Sequence, residues 1–385
     1  MVLGLIVAGA VIVGMQLPFL HKPATVVIAA PTSAVRPVSP AVAWPTIGSA
    51  AIDIPALGVL ESHRNAVVPI ASLAKLMTAY VTLKKFPLGI GETGPCVTVS
   101  AADVTTWLAE KANDESSVIV QVGEQLCESV LLNGMLVHSA GNYADLLATM
   151  VSGSTGKFVA LMNETAASLG LSSTHYGDDA GISDNSVSTA LDQAKLAVLL
   201  MRSPLVRSIV QQSSVDLPVA GIVNSFTPYV GTDNVVGVKS GRTDLAGGCD
   251  VMALDFRQGG RTRIAYVVVL GQRGGDLLTP AGDAAYALAT SAVANRFTQT
   301  FQKNGVVGHI GWGHELVPFA FKYATTIYHW GPKSIPSYTM RIRRITTDIR
   351  RGDIVGWVHV DGVRRPLPLV ALRSVAAPTL WHRLL

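Results

Sequence analysis

The sequence predicts an α/β fold, in which a mixed sheet flanked by helices is followed by a small C-terminal β-rich domain and preceded by a transmembrane helix. Three observations predict this arrangement. Strand-like runs lie at both ends of the segment 49–297 and helical periodicity dominates its middle, so the sheet must combine distant parts of the chain. After Phe297 the pattern changes to short alternating strands. Residues 2–20 form an uncharged apolar run that is long enough to span a bilayer.

The first 48 residues are predicted to form a membrane anchor and a linker. No Lys or Arg precedes the apolar run 2–20, so flanking charge gives no orientation for it. A cleaved signal peptide is the alternative, because small residues at 29–30 and 41–43 offer cleavage sites, but both positions lie far from the apolar run. Residues 21–48 contain five prolines among small residues and are expected to form a semi-extended linker.

The spacing of apolar residues predicts the elements of the segment 49–297. Leu73, Leu76, Met77 and Tyr80 recur every three or four residues and mark the buried face of a helix that begins near Ser72. Further helices are expected at 128–151, 157–169, 191–202 and 281–297. Strands are expected as two runs within 49–60 and at 235–239, 249–256 and 263–270. In the C-terminal domain, a strand is expected at 338–343 and a hairpin over 355–369 that turns at 361–362.

Composition indicates a globular chain whose positive charge is concentrated at its C-terminal end. The chain has 385 residues, 49% of them hydrophobic and 15% charged, which is enough for a full core and two folded domains. Its formal net charge is +4, but residues 298–385 hold 12 Lys/Arg against 4 Asp/Glu. This basic domain could face anionic lipid headgroups or acidic wall polymers, or it could be a solvated strand face.

The three cysteines are interpreted as one disulfide and one buried thiol. Cys96 begins an alternating run and Cys127 follows a turn-like Gly-Glu pair, so two short strands could bring them together. We therefore expect a disulfide between Cys96 and Cys127. Cys249 follows two glycines in an apolar strand and is expected to be a small buried residue.

The strongest chemical signal is Ser72-Leu73-Ala74-Lys75 at the start of an apolar helix. Residues three apart on a helix share a face, so the hydroxyl of Ser72 and the amine of Lys75 can meet. A serine hydroxyl needs a nearby base, and a lysine can be that base only when burial or a neighbouring cation lowers its pKa. Taken alone, the pattern is common, and a surface lysine is its usual explanation.

Two downstream segments supply groups that would complete a site. Lys239-Ser240-Gly241-Arg242 ends a predicted strand, where a cation and a hydroxyl could bind a carboxylate and the glycine lets the backbone approach closely. Between this segment and Ser72 lies His138-Ser139-Ala140-Gly141-Asn142, in which a serine stands near an asparagine. Three elements in this order are far more specific than any one of them.

These three segments resemble the penicillin-binding serine D-alanyl-D-alanine carboxypeptidases, which have a β-lactamase/transpeptidase-like fold. The resemblance covers residues 49–297. Within this segment it includes the turn at 122–124 and the segments 181–182, 188–190 and 246–249. More loosely, the β-rich tail fits as well. The resemblance implies a cell-membrane peptidase with an extracytoplasmic catalytic domain over residues 49–297. It implies peptidoglycan stem peptides as substrate, β-lactam antibiotics as covalent inhibitors, and neither a cofactor, a metal nor a nucleic-acid partner.

The resemblance also assigns roles to residues of this sequence. Ser72 would attack the carbonyl between the two terminal D-alanines, Lys75 would take its proton, and Ser139 would relay a proton to the leaving amine. The backbone amides of Ser72 and Arg242 would form the oxyanion hole. Lys239 and Ser240, with the close approach that Gly241 allows, would hold the terminal carboxylate of the substrate.

One position departs from the pattern of the family. The middle motif of the family is Ser-x-Asn, yet an ungapped comparison places Gly141 where the asparagine belongs and leaves Asn142 one residue late. Either a local shift lets Asn142 bind substrate, which is the expectation adopted here, or the chain is a catalytically impaired penicillin-binding homologue that acts as a peptidoglycan-binding protein.

Other enzyme classes are disfavoured by missing patterns. A class A β-lactamase would need an added glutamate for deacylation, and no Glu-x-x-x-Asn pattern occurs between residues 154 and 192. A metallopeptidase is disfavoured because the nine histidines include no His-Glu-x-x-His. Carboxypeptidase and endopeptidase activities both break amides next to D-alanine, so the sequence leaves that choice open.

Overall fold

The computed structural model describes residues 23–28, 41–232, 234–331, 338–360 and 363–379. The chain divides into two compact units. One consists of Pro40–Asn295, and the other combines Met1–Ser39 with Arg296–Leu385.

The described residues form both helices and strands. The helices are α1 (Lys75–Lys85), α2 (Ala101–Ala112), α3 (Glu128–Val137), α4 (Gly141–Ser152), α5 (Thr155–Ser168), α6 (Ala190–Leu200), α7 (Pro204–Val210) and α8 (Leu278–Ala294). The strands of the unit 40–295 are β2 (Ser49–Ile54), β3 (Val59–His63), β4 (Val68–Pro69), β5 (Cys96–Thr98), β6 (Gln125–Cys127), β7 (Val187–Ser188), β8 (Ser214–Leu217), β9 (Gly221–Asn224), β10 (Val235–Thr243), β11 (Gly247–Gln258) and β12 (Arg261–Gln272). Those of the other unit are β1 (Thr25–Ile28), β13 (Arg296–Phe301), β14 (Val306–Trp312), β15 (Glu315–Phe321), β16 (Thr325–Trp330), β17 (Tyr338–Ile342), β18 (Ile354–Val360) and β19 (Leu367–Ala371).

The main sheet of the unit 40–295 has the strand order β10-β11-β12-β2-β3. Pairing of β12 with β2 brings together the two ends of this unit, as the sequence predicted. All four pairings are antiparallel, so the prediction of a mixed sheet was wrong. For three of the four pairings the physical reason is connectivity, because β2–β3, β10–β11 and β11–β12 follow one another through short connections, and a short connection reverses the strand direction.

Strand β11 shows how the sheet is covered on both faces. Cys249, Val251 and Ala253 belong to the large core that the helical middle of the chain forms. Gly248 points the other way, since a Cβ on it would come 3.1 Å from Cβ of Ala281 in α8. Side chains alternate between faces along a strand, so helices pack on both sides of this sheet. This agrees with the predicted flanking helices.

The predicted helix over 128–151 is two helices in the structure. It breaks at 138–140, where Ser139 has a left-handed backbone with φ of 63°. Such a conformation is uncommon outside glycine and is often found at functional sites. The break therefore places Ser139 on a turn, between the end of α3 and the start of α4.

Helix α2 was missed by the sequence analysis. It begins with a capping box, in which the amide of Asp103 donates to the Ser100 hydroxyl and the amide of Ser100 donates to the Asp103 carboxylate. The prediction relied on buried apolar residues, whereas the one buried residue of this helix is the charged Glu110. Helix α7, which begins with Pro204 after a Ser203 cap, was also missed.

The second unit is β-rich, as its alternating sequence indicated. Its main sheet has the strand order β1-β14-β15-β19-β18-β17. Strand β1 lies within residues 21–48, for which a linker was expected, and pairs antiparallel with β14. The prediction missed this strand because it weighed the prolines of the whole stretch, whereas Thr25–Ile28 is a short β-branched run without proline.

The predicted membrane anchor at residues 2–20 lies outside the described residues. Within the parts of the chain that the structure describes, no helix combines the length and the apolar character needed to cross a bilayer.

The predicted disulfide is confirmed. Cys96 and Cys127 are bonded and face each other across the β5–β6 pair, and Cys249 is a buried free thiol. Burial also raises the pKa of the Cys249 thiol to about 12, which is consistent with an unreactive core residue.

Removing this disulfide should destabilise the protein markedly. The bond joins residues 31 positions apart. Closing a loop of that size stabilises a protein by about 3–4 kcal/mol. We expect the Cys96→Ala/Cys127→Ala variant to lose about this free energy of unfolding in urea titrations. A reducing agent should lower the stability of the wild type and leave the variant unchanged; an unchanged wild type would contradict the prediction.

Candidate active site

Ser72 and Lys75 meet at the start of α1. Ser72 lies on a 3-10 turn formed by Ala71–Ala74 and is 8% exposed, and Lys75 begins the α-helix with 1% exposure. The Lys75 Nζ donates to Ser72 Oγ at 3.1 Å and to the carbonyl oxygen of Ala180 at 2.7 Å. The turn is strained, because Ala71 has φ of 48°. The local fold therefore holds the hydroxyl against the amine.

Burial makes the neutral form of the Lys75 amine more accessible than it is in water. Burial lowers the pKa of Lys75 to about 8, although the carboxylates of Asp178, Asp179, Glu110 and Asp145 oppose this shift. A neutral amine is therefore accessible near physiological pH, which is the condition for a lysine to accept a proton from a serine.

Strand β10 supplies the second part of the site. The side chains of Lys239 and Ser240 are 0% and 1% exposed, and Lys239 Nζ donates to the carbonyl oxygen of Ser240 at 2.7 Å. Burial and the nearby Lys75 hold the pKa of Lys239 well below its usual range. A Cβ on Gly241 would come 2.6 Å from the backbone nitrogen of Ser72. This close approach requires glycine and places β10 directly beside the serine.

Ser139 completes the group of polar side chains around Ser72. It lines the same cavity as Ser72, Ser240 and Arg242. Two backbone hydrogen bonds hold the turn that carries Ser139. The amide of Ala140 donates to the carbonyl oxygen of Gly134 at 3.2 Å, and the amide of Gly141 donates to the carbonyl oxygen of Ser116 at 2.7 Å. The structure thus brings together the three segments that the sequence singled out.

Asn142 is the exception among the predicted site residues. Its side chain is 3% exposed, and both of its polar atoms are used by the backbone of Val118. Asn142 Oδ1 accepts from the amide of Val118 at 3.0 Å, and Nδ2 donates to the Val118 carbonyl oxygen at 2.7 Å. The expectation that Asn142 takes over substrate binding is therefore corrected: its side chain fixes the chain around Val118.

A larger cavity opens beside the same serine and contains groups that the sequence analysis missed. Its volume is about 540 Å³, and Ser72, Lys75 and Arg242 line it. It is also lined by Asp114, Glu115, Ser116, Asp184 and Asp244. No motif marks these residues in the sequence, because they come from three loops that only the fold brings together.

No metal centre is apparent among the residues that the structure covers, since no group of three or more His, Cys, Asp or Glu side chains is arranged to bind an ion.

A buried serine–lysine pair facing a Lys-Ser-Gly strand is the arrangement of the class of protein that the sequence resembles. The sequence profile of the D-alanyl-D-alanine carboxypeptidase family matches residues 52–273, more than half of the chain. The chain therefore belongs to this family of penicillin-binding carboxypeptidases.

Individual relatives carry both kinds of peptidase name. A D-alanyl-D-alanine endopeptidase of Pseudomonas aeruginosa is 32% identical over 215 residues, which is 53% of this chain and 66% of the relative. The D-alanyl-D-alanine carboxypeptidase DacB2 of Mycobacterium tuberculosis is 30% identical over 219 residues, which is 55% of this chain and 70% of the relative. The chain spans only 44–66% of the length of the D-alanyl-D-alanine endopeptidases that it matches.

Solved structures support the fold. Penicillin binding protein 5 of Haemophilus influenzae superposes with a TM-score of 0.60 at 20% identity, and the match covers 89% of this chain and 100% of that protein. At this identity the likeness speaks for the fold alone. It agrees with the predicted transpeptidase-like fold.

Proposed function

We propose that this chain is a serine-type D-alanyl-D-alanine carboxypeptidase, which removes the terminal D-alanine of peptidoglycan stem peptides through an acyl-enzyme on Ser72. The observation that carries the proposal is the 3.1 Å contact of Lys75 Nζ with Ser72 Oγ, both nearly buried, at a cavity that also contains Ser139 and Ser240. Family membership supports the same reaction.

The geometry supports a two-step reaction. Lys75 takes the proton of Ser72 Oγ as that oxygen attacks the carbonyl carbon between the two D-alanines. The amide bond then breaks, the leaving amine gains a proton through Ser139, and the acyl group remains as an ester on Ser72. Water hydrolyses the ester, which returns the proton to Ser72 and releases the shortened peptide.

Two sets of groups would stabilise the substrate and the transition state. The amides of Ser72 and Arg242 would form the oxyanion hole, where one donor contributes about 3 kcal/mol. Lys239 and Ser240 would bind the terminal carboxylate, and the close approach of Gly241 to Ser72 supports this placement. The same groups would accept a β-lactam carboxylate, so we expect penicillins to acylate Ser72.

Two other activities have specific support. Several relatives carry the name D-alanyl-D-alanine endopeptidase, which favours cleavage of cross-links. The alternative of an impaired homologue that only binds peptidoglycan has two supports. Gly141 stands in place of the motif asparagine, and the side-chain amide of Asn142 is hydrogen-bonded to the backbone of Val118.

A product assay separates these three activities. The full chain, purified in detergent, is incubated with a stem pentapeptide ending in D-Ala-D-Ala and with cross-linked muropeptide dimers, and products are identified by mass spectrometry. We expect release of free D-alanine from the pentapeptide. Conversion of dimers to monomers without D-alanine release would favour the endopeptidase, and turnover of neither substrate would favour the binding protein.

We also propose that residues 2–20 anchor the protein in the cell membrane with the catalytic unit outside the cytoplasm. The apolar run in the sequence and the Cys96–Cys127 disulfide support this location, because disulfides persist mainly in oxidising compartments. The test is protease digestion of intact spheroplasts. Cleavage of the catalytic unit would support this location, and its protection from the protease would contradict it.

A further inference from the structure

Gly141, two residues after Ser139, leaves a space that a carboxyl group occupies. A Cβ on Gly141 would come 2.9 Å from Glu110 Oε1 and 3.4 Å from the carbonyl oxygen of Ser116. Gly141 stands where the motif of the family has asparagine. The place that the Cβ of an asparagine would take at this position is already in contact with the Glu110 carboxyl. The side chain missing at Gly141 and the presence of Glu110 are therefore two aspects of one arrangement.

Glu110 is tied to the turn that carries Ser139. Its Oε2 accepts a hydrogen bond from the amide of Asn142 at 3.0 Å, in the first turn of α4. The residue before α4 offers no side-chain cap of its own, so Glu110 supplies a carboxylate to this helix N-terminus from the last turn of α2. The Glu110 side chain is buried, with 9% exposure.

Charged groups from α4, from the loop after α2 and from α1 act on this carboxyl. Burial, which is the largest cause, together with the carboxylates of Asp145 on α4 and Glu115 in the following loop, raises the pKa of Glu110 to about 7. The amide of Asn142 and the cation of Lys75 on α1 oppose this rise. Asp178 and Asp179 act on Lys75 from the opposite loop. Glu110 is thus one of several acids whose charge Lys75 senses.

We propose that Glu110 is a positioning residue of this active site: its carboxyl takes the space that Gly141 leaves, holds the turn of Ser139 through the Asn142 amide, and places a negative charge within the electrostatic reach of Lys75. The inference rests on the proposed function for its kinetic consequences, but the shared space between Glu110 and Gly141 stands independently of it.

The first test changes only the charge. Glu110→Gln keeps an oxygen that can accept from the Asn142 amide, and Glu164→Gln, an exposed residue of α5, is the matched control. The negative charge of Glu110 raises the pKa of Lys75, so its removal should increase the neutral fraction of Lys75. Between about pH 7 and about pH 8, where wild-type Glu110 is at least half ionised and Lys75 is still partly protonated, we expect acylation by a fluorescent penicillin to rise about twofold to threefold. The rates should converge at lower pH, where Glu110 is protonated, and at higher pH, where Lys75 is neutral.

A residue with only a structural role would give a different profile. It would lower the acylation rate by the same factor at every pH, and Glu164→Gln should leave the profile unchanged. A Glu110→Gln profile that superimposes on the wild type would overturn the electrostatic part of the proposal.

The second test is a double-mutant cycle with Glu110→Ala, Gly141→Asn and the combined variant. Each single change should lower the melting temperature, because one leaves a void and the other forces an asparagine against Glu110. The combined variant should recover part of both losses, since the asparagine then fills the space of the carboxyl. Strictly additive losses would show that the two side chains do not share this space.

Failure of the inference and failure of the proposed function remain distinguishable. If the wild type is not acylated at all, the proposed function fails, while the melting temperatures of the cycle still test the shared space. If the wild type is acylated but Glu110→Gln follows it at every pH and the cycle is additive, only the role of Glu110 is overturned.

Discussion

Replacing Ser72 by alanine is expected to abolish covalent labelling by a fluorescent penicillin and to reduce D-alanine release by about 10⁴-fold or more. The reason is that Ser72 Oγ is the atom that Lys75 Nζ contacts, and the acyl group has no other acceptor in the proposed reaction. Labelling is measured by gel fluorescence on the full chain, and D-alanine release by mass spectrometry.

Ser214→Ala, an exposed position on β8, serves as the control and should label like the wild type. Persistent labelling of Ser72→Ala would sink the assignment of the nucleophile. Absence of labelling in both the wild type and Ser72→Ala would sink the acyl-enzyme mechanism and favour the binding protein.

Replacing Lys75 by methionine is expected to slow acylation by about 10³-fold, since a general base typically contributes 10²–10⁴-fold. Methionine keeps much of the buried aliphatic volume, so the loss of rate reports on the amine.

The rate of acylation of the wild type should also depend on pH. The pKa of Lys75 is lowered to about 8, and the base is the neutral amine. Acylation by the wild type should therefore rise with pH and level off above about pH 8.

The control is Lys84→Met, an exposed lysine on the same helix, which should retain both the rate and the pH profile. In Lys75→Met the rise near pH 8 should disappear. A Lys75→Met variant that kept this rise would show that another group accepts the proton.

Much of the fold could be predicted because burial leaves a periodic trace. The apolar face of Leu73, Leu76 and Met77 is fully buried, and the strands around 249–256 and 263–270 are present with longer bounds. Helix α2 could not be found in this way, since most of its side chains are exposed and its one buried residue is the charged Glu110. Strand direction also escaped prediction, because periodicity identifies a strand but not its partner.

The site residues that belong to short sequence motifs could be predicted. The structure brings these residues together around shared cavities or through direct contacts: Ser72, Lys75, Ser139, Lys239, Ser240, Gly241 and Arg242. Asn142 was assigned to the substrate because it is the nearest asparagine to the motif. In the structure its side chain bonds to Val118, a partner 24 residues away that no local pattern indicates. Glu110 was missed for the same reason, because its role depends on a contact made across two helices.

Strand β1 limits how the protein can be shortened for experiments. Thr25–Ile28 pairs along β14, from Thr25 opposite Gly311 to Ile28 opposite Gly308. Cutting the chain just before residue 41 to remove the predicted anchor would also remove this strand and expose the backbone donors and acceptors of β14. An open edge of this kind recruits other chains. A soluble form that begins between residues 21 and 23 keeps the edge covered and should remain monodisperse where the shorter form aggregates.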